Sequence, residues 1–357
     1  MSIQVGSRSF DNVEELEKLV VRAATQYDVN GFSEDFDGIE VTDPEYDELV
    51  KSLRLYKPLS SAFRGTTPSV AKTKGSTIKH DPPMTSIDKA DGDLSEKVSI
   101  LNRWIASNAT KIGCVPNDLE LAASFKHDGV ALRVNYVNGN LVSAGLRPRD
   151  GINGSDVTRH MKYIEGVPLK LPKPLTLSLN GEIECWMGDF EEINKEKDIA
   201  GEDPYKNPRN YTAGCMGRDD PEENKNARLR ICFYSITGFD SWSDYYKTEI
   251  ERAKWANSKD GLNLQDSEGR GYFVQVRKHE FKHLEIMENY AKKLPYYTDG
   301  VILKINDLEQ QIELGHTGDD LINPPRGALA WKFIEETAEA EVSRIEWNAS
   351  RTGRVVP

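Results

Sequence analysis

Cysteine is scarce in this chain of 357 residues, and its four thiols are widely separated: Cys114, Cys185, Cys215 and Cys232. Without a C-x-x-C pair, and at this length, the sequence excludes a structural zinc finger and a disulfide-stapled miniprotein. It also lacks any apolar run near the roughly 18 residues of a membrane span. Residues 1–6 have neither the basic start nor the apolar core of a signal peptide. These absences predict a cytoplasmic protein with free thiols.

Basic residues are also in deficit, with 46 Lys and Arg against 58 Asp and Glu, a formal net charge of −12. This balance excludes nucleic-acid binding by bulk charge, so any basic surface must be local. Hydrophobic residues make up 38% and charged residues 29%, which is typical of a globular chain rather than a disordered one.

The chain alternates helical and strand-like segments. Amphipathic helices are predicted at residues 11–27 and after Asp43-Pro44, and a Ser-, Pro- and Gly-rich connection over 58–83 marks a domain boundary. Further helices are predicted at residues 95–107, 189–197, 245–256 and 279–293. Strands are predicted at residues 119–125, 130–136, 141–146, 175–186, 229–237, 272–277, 300–305 and 328–333, with a hairpin turn at Asn138-Gly139. The mixture predicts an α+β fold. Residues 341–347 look like a strand whose partner, after the turn at 350–353, lies beyond the chain.

The tetrapeptide Lys126-His127-Asp128-Gly129 lies between two predicted strands. A lysine there could attack phosphorus as a nucleophile if nearby cations or burial favour its neutral form and disperse the phosphate charge. On its own the pattern is more typical of a surface turn. Lys304 and Lys332 stand within other apolar strands, where a buried lysine requires an anionic partner such as a phosphate or carboxylate, or else faces water.

These motifs occur in the chain together with several others, in this order from the amino terminus: Thr42 to Asp47, His80 to Ile87, Gly181-Glu182-Ile183, Asn207 to Asn210, Phe233-Tyr234, Asp299 to Lys304, and Ala330 to Phe333. Over nearly the whole chain the sequence resembles the bacterial NAD-dependent DNA ligases, members of the nucleotidyltransferase superfamily. The resemblance implies a helical NMN-binding domain over residues 1–75, an adenylation domain of nucleotidyltransferase fold over 76–338, and the start of an oligonucleotide-binding barrel over 339–357.

The resemblance also implies roles for individual residues. Lys126 attacks the α-phosphorus of NAD and retains AMP, while Lys304 and Lys332 neutralise the phosphates and Asp128 and Asp299 orient the lysines. Mg²⁺ shields the pyrophosphate. The remaining residues implied to bind the nucleotide are Ser86, Ile87, Arg147, Glu182, Arg209 and Tyr234. AMP then passes to nicked double-stranded DNA during replication or repair, and we expect a monomer that adenylates itself but seals nicks poorly.

The first-domain helices distinguish this family from ATP-using relatives. Asp43, Tyr46 and Asp47 lie at i, i+3 and i+4 and share a helix face, where an aromatic ring and carboxylates suit a cationic nicotinamide ring and its ribose. Tyr27 could add a second ring. The structural alternative is an ordinary capped helix with Tyr46 in its core.

Three departures from the family pattern keep other functions open. Ser124 stands where the family has a glutamate that contacts adenine, and Gly217 and Ala291 stand where it has arginines, with Arg218 and Lys292 adjacent. An inert nucleotide- or nick-binding module of the same fold is therefore one alternative, and an ATP-dependent ligase or capping enzyme is another. A third is a zinc metallopeptidase, because His279, Glu280 and His283 match H-E-x-x-H, although no third ligand follows.

Overall fold

The computed structural model of the chain describes residues 3–5, 8–20, 76–266, 269–278, 284–319, 321–333, 348–349 and 355–356, together with residues 45, 49, 52, 53 and 56. In these parts of the chain, no helix combines the length and apolar character needed to cross a membrane. Helices and strands are mixed, which confirms the predicted α+β class.

In chain order, the described strands are β1 (Ile3–Val5), β2 (Arg8–Phe10), β3 (Thr77–Lys79), β4 (Asp88–Ala90), β5 (Leu121–His127), β6 (Val130–Val137), β7 (Asn140–Leu146), β8 (Asn153–Ser155), β9 (Leu177–Cys185), β10 (Leu229–Thr237), β11 (Arg277–Lys278), β12 (Thr298–Ile305), β13 (Ala328–Lys332), β14 (Asn348–Ala349) and β15 (Val355–Val356). Besides the helical residues 13–20, the described α-helices are α1 (Leu94–Ile112), α2 (Met187–Ile199), α3 (Pro208–Met216), α4 (Glu249–Asn257), α5 (Leu284–Ala291) and α6 (Leu308–Leu314). Short 3₁₀ helices lie at Pro116–Asp118, Thr158–Tyr163, Pro221–Asn224, Trp242–Asp244 and Thr317–Asp319.

The amino-terminal part forms its own small core. Strands β1 and β2 pair antiparallel, and residues 13–20 are helical, which confirms that stretch of the predicted first helix. Leu16 and Val20 on this helix are fully buried against Leu49 and Leu53, which lie at helical positions of the second predicted helix. Apolar residues at helical spacing in both predicted helices therefore line this small core.

The first sheet is antiparallel with strand order β10-β9-β6-β7. Its hairpin turn is the predicted one: Asn138 and Gly139 have φ values of 49° and 76°, the left-handed pair that a tight two-residue turn requires. Alternate residues of its strands, including Leu132, Leu179 and Ile231, bury one face against helices α2, α3 and α4. The opposite face carries polar side chains.

The second sheet has strand order β11-β5-β12-β13-β4, with β13 and β4 parallel and its other pairs antiparallel. Helix α1 begins with a capping box between Asp93 and Glu96 and ends at Gly113, whose φ of 80° is left-handed. Its Leu101 packs on the sheet in a core with residues such as Val301 and Trp331. This core is separate from that of the first sheet.

The face of the first sheet that carries Glu182 meets the face of the second sheet that carries Lys126, and we call the space between them the cleft. Two strands contain bulges that affect the side chains facing this cleft. Thr298 pairs with His127 and Gly300 with Lys126, so Asp299 is the extra residue of β12. In β10 the pairing with β9 likewise shifts between Phe233 and Ser235, so the extra residue is Tyr234. A bulge interrupts the regular alternation of side chains and re-aims the extra one.

The structure differs from the sequence expectations at one predicted strand and at two helices. Of the strand predicted at residues 272–277, only the end pairs in the sheet, as β11, and Phe273 forms an isolated parallel bridge with Phe233. Helices α3 and α6 were not predicted as helices. Near the carboxyl end, β14 pairs antiparallel with β15; the strand predicted at 341–347 and the turn predicted at 350–353 lie outside the described residues.

Candidate active site

The turn Lys126-His127-Asp128-Gly129 carries the chain from β5 in the second sheet to β6 in the first. Gly129 lies so close to β9 that an added Cβ would stand 2.0 Å from the carbonyl oxygen of Ile183, which leaves room for glycine alone. Its amide donates to Glu182 Oε1 over 3.2 Å, and the amide of Asp128 donates to the carbonyl oxygen of Tyr297 over 3.1 Å. The amides of the turn are thus bonded to the Glu182 side chain on β9 and to the backbone just before β12.

Lys126 and Lys332 converge on one carboxylate. Lys126, Gly300 and Lys332 are in register across β5, β12 and β13, so the two lysines start about 10 Å apart at strand spacing. The bulged Asp299 lies between them: its Oδ2 accepts from Lys126 Nζ over 3.0 Å and from Lys332 Nζ over 2.6 Å. An added Cβ on Gly300 would stand 2.3 Å from the carbonyl oxygen of Trp331, so this position too accepts only glycine without a shift.

The charges of this cluster favour an ionised Asp299. Burial alone would raise the pKa of its carboxyl, but the hydrogen bond from Lys332 and the charge of Lys126 hold that pKa below its usual value. The side chains of Lys126, Asp299 and Lys332 remain 20% to 30% exposed. Two cations with one fixed anion between them leave a net positive charge that is accessible from solvent and suited to a phosphate.

Glu182 lies on β9 beside the turn, and the pKa of its carboxyl group is near neutrality. Burial raises the pKa of its carboxyl to about 7, although Lys126 and the amide of Gly129 act in the opposite direction. A carboxyl group that titrates near pH 7 beside a lysine in a cleft is a candidate functional group.

Glu182→Gln is expected to stabilise the ligand-free protein, increasingly so as the pH rises from 4.5 to about 7. The folded-state pKa is raised, so the stability linked to the protonated form is present below the unfolded value and is lost as the pH passes through the folded value. Glutamine keeps an acceptor for Gly129 and cannot ionise. We expect a gain of up to about 3 kcal/mol above pH 7 and little change at pH 4, measured by urea unfolding at each pH. A gain independent of pH would contradict this account.

Asp128 pairs with an arginine rather than with a lysine in this structure. The resemblance implied that it orients the lysines, but its Oδ1 instead accepts from Arg209 Nη1 over 2.7 Å. Arg209 lies in the first turn of α3, which Asn207 caps and Pro208 begins. Because the Arg209 side chain is 59% exposed, the structure leaves this arginine accessible beside the turn.

Lys304 lies close to a buried carboxylate. It lies on β12 four residues beyond Gly300, which is about 13 Å along a strand. Its Nζ is 3.5 Å from Oε1 of the buried Glu249, and burial lowers the pKa of the Lys304 ammonium although Glu249 partly opposes that effect. Lys304 therefore lies apart from the cluster of Lys126, Asp299 and Lys332, and the role implied for it at the phosphates stays a prediction. The structure supplies the carboxylate partner that the sequence required for a lysine in an apolar strand.

Tyr234 is half-buried, and burial raises the pKa of its phenol. Arg147, which follows β7, and Arg133 on β6 are close enough for their charges to lower that pKa in part. Sequence reasoning missed Arg133. It is 2% exposed and donates to Asn180 Oδ1 over 2.8 Å and to the carbonyl oxygen of Pro82 over 2.6 Å, and burial lowers its pKa to about 10. A charged residue in an apolar strand, the signal used for Lys304, would have identified it.

The other predicted site residues are dispersed or undescribed. Ser86 and Ile87 lie immediately before β4, the edge strand beside β13. Ser124 is buried on β5, opposite Ile302. The residues predicted to bind NMN lie outside the described residues, as does the H-E-x-x-H segment: Tyr27, Asp43, Tyr46, Asp47, His279, Glu280 and His283.

The carboxylates near Lys126 could bind a metal ion only together with waters and the phosphates of a substrate. Where the structure describes the chain, no group of three or more His, Cys, Asp and Glu side chains could hold an ion. Asp299 pairs with two lysines and Asp128 with Arg209, which leaves Glu182 as the best-placed carboxylate. This set suits Mg²⁺, which commonly binds through one or two carboxylates, waters and substrate phosphates.

The chain is similar in sequence to several proteins called DNA ligase. Curated relatives include the protein called DNA ligase in Fervidobacterium nodosum, 31% identical over 89% of this chain and 44% of its own, and in Natranaerobius thermophilus, 30% identical over 90% and 47%. The chain thus spans a little under half the length of these relatives. The solved structure of the ATP-dependent DNA ligase from bacteriophage T7 in complex with ATP covers 77% of this chain and 80% of its own at 14% identity, with a TM-score of 0.35.

The decisive match is to the family model of the NAD-dependent DNA ligase adenylation domain, which covers residues 72–336. That span contains the Lys126 turn, both cleft lysines and both sheets. The chain therefore belongs to the family of NAD-dependent DNA ligase adenylation domains.

Proposed function

We propose that this chain transfers AMP from NAD to its own Lys126, releasing NMN. The observation that carries the proposal is the arrangement of Lys126, Asp299 and Lys332, which holds an amine nucleophile beside a second cation at an accessible point of the cleft. An oxyanion that develops on phosphorus would be stabilised there without reorganisation of the site.

In the proposed step Lys126 Nζ loses a proton to solvent and forms a bond to the α-phosphorus. The bond from that phosphorus to the bridging oxygen breaks, and NMN leaves with this oxygen. Asp299 orients the amine, and Lys332 neutralises a non-bridging phosphate oxygen. Glu182 accepts a hydrogen bond from a ribose hydroxyl or holds Mg²⁺, and the metal when bound supplies further charge neutralisation to the pyrophosphate. Tyr234 stacks on adenine, and Arg147 and Arg209 contribute positive charge at the rim.

The roles of the two domains and the acceptor of AMP are inferred from the family resemblance. Residues 1–75 would grip the NMN half of NAD, and residues 76–338 would form the adenylation domain. The acceptor of AMP would be the 5′-phosphate of a nick in double-stranded DNA, as the DNA ligase relatives suggest by name.

The test is the choice of donor. The purified chain with Mg²⁺ is incubated with NAD or with ATP, and the intact mass is measured with time. We expect one AMP to be added from NAD and none from ATP, with the adduct mapped to the peptide that contains Lys126. Labelling from ATP would indicate an ATP-dependent ligase or capping enzyme. Binding of NAD without any adduct would favour the inert nucleotide- or nick-binding module.

A further inference from the structure

A buried ion pair joins the two walls of the cleft directly behind the proposed nucleophile. His127 follows Lys126 and is the last residue of β5, and its Nδ1 is 2.8 Å from Oε2 of Glu184. Glu184 lies on β9 two residues after Glu182, so the side chains of both glutamates project from the same face of that strand. The contact between His127 and Glu184 therefore joins the residue next to Lys126 to the residue two positions after Glu182.

Aromatic rings fix both partners of this pair. The imidazole of His127 stacks on Tyr296, with ring centroids 4.4 Å apart and planes inclined by 18°. The second carboxylate oxygen of Glu184 accepts from Trp186 Nε1 over 3.0 Å. The side chains of His127 and Glu184 are only 8% and 5% exposed, so neither can rotate toward water without breaking this packing.

The backbone reinforces the same junction. The amide of Met187, next to Trp186, donates to the carbonyl oxygen of Pro295 over 2.8 Å, and the amide of Asp128 donates to the carbonyl oxygen of Tyr297 over 3.1 Å. The segment 295–297 is thus bonded to the end of β9 on one side and to the end of β5 on the other. Because the two sheets have separate hydrophobic cores, contacts of this kind contribute to the spacing of the sheets here.

The pair joins an imidazole and a carboxyl group that are both nearly excluded from water, over a hydrogen-bonding distance of 2.8 Å. A buried ion pair is seldom the most stabilising choice for a site, because apolar residues of similar volume often serve stability as well. Its directional contacts can instead specify one arrangement of the elements that it joins.

We propose that His127 and Glu184 are positioning residues, which hold Lys126 at a fixed distance and angle from the nucleotide bound along Glu182. The inference rests on the proposed function, since it concerns the rate of the same adenylation step. Neither side chain needs to touch the nucleotide, so loss of the pair should reduce the rate of the chemical step far more than the affinity for NAD. A displacement of about 1 Å at a reacting group can cost on the order of 100-fold in rate.

The test uses Glu184→Gln, which keeps an acceptor for Trp186 and nearly the same shape but removes the charge. We expect the single-turnover rate constant of adduct formation at saturating NAD to fall at least about 10-fold, while the dissociation constant for NAD changes less than about 3-fold. His127→Gln is the second variant should the first not fold, and the same split between rate and affinity is expected.

The matched control is His160→Gln. His160 is also buried, with Nδ1 2.8 Å from Asn224 Nδ2, but it lies in the turn Thr158–Tyr163, away from Lys126. Its loss should lower thermal stability and change the adenylation rate less than about 2-fold. Equal slowing in the control, an unchanged rate in Glu184→Gln, or a loss of affinity that accounts for the whole effect would overturn the inference. A wild-type chain that forms no adduct from NAD would overturn the proposed function and this inference together.

Discussion

Replacing Lys126 with arginine is expected to abolish the AMP adduct while the protein stays folded. Arginine keeps the positive charge and can still pair with Asp299, but its guanidinium does not lose a proton in proteins and so provides no nucleophile. Removal of a covalent nucleophile typically costs on the order of 10⁴-fold or more in rate. Intact mass measured after prolonged incubation with NAD and Mg²⁺ should therefore show only unmodified protein.

Lys332→Arg is the matched control for this variant. The two lysines share Asp299 and have similar exposure, but only Lys126 is proposed to attack phosphorus. With charge preserved at position 332, we expect adduct formation to persist, slowed by about 10-fold or less because the fit to the phosphate changes. If Lys332→Arg abolishes the adduct and Lys126→Arg does not, the nucleophile has been assigned to the wrong lysine.

The second large effect is expected from Glu249→Gln. Glu249 is 1% exposed, pairs with Arg252 and Lys304, and accepts from Gln311 Nε2 over 2.9 Å. Removing its charge leaves two cations without a carboxylate in a buried site. Breaking a buried pair in this way typically costs about 3 to 5 kcal/mol, so urea unfolding at pH 7 should show a loss of that size.

The pH dependence of this loss has the opposite sign to that expected at Glu182. Burial would raise the pKa of Glu249, but Arg252 and Lys304 lower it below its usual value. The stabilisation is then present above the unfolded value and is lost as the pH falls through the lower folded value, so the cost of Glu249→Gln should shrink in acid. Glu196→Gln is the control: Glu196 pairs with Arg228 over 2.8 Å but is 64% exposed, and its loss should cost less than about 1 kcal/mol. A comparable cost at both sites would contradict the role given to burial.

Local sequence signals predicted much of the fold. The Asn138-Gly139 turn and the paired strands around it follow from residues adjacent in the chain, as does the amphipathic, capped helix α1. Helix α3 was missed although it has a helix-capping asparagine, a proline at its first position and a glycine after its end. The helix is short, at 9 residues, and its apolar residues are too few to give a clear helical periodicity.

The site was less predictable because its geometry depends on pairing between distant strands. Sequence identified Lys126, Asp299 and Lys332, and the structure brings these three together. It could not show that Lys304 faces Glu249, since that contact joins residues 55 positions apart through tertiary packing. The pair of His127 and Glu184 gave no sequence signal beyond the presence of a charged residue in an otherwise apolar strand.

The bulges at Asp299 and Tyr234 suggest how such a cleft could acquire functional groups. In each case the ladder resumes on both sides of the extra residue, so the remaining pairs keep their partners. In evolutionary terms, a single-residue insertion into a paired strand adds one side chain to the cleft without altering the register elsewhere. The hydrophobic cores behind the two sheets are then unaffected, and chemistry can change at the cleft independently of the sequence that folds it.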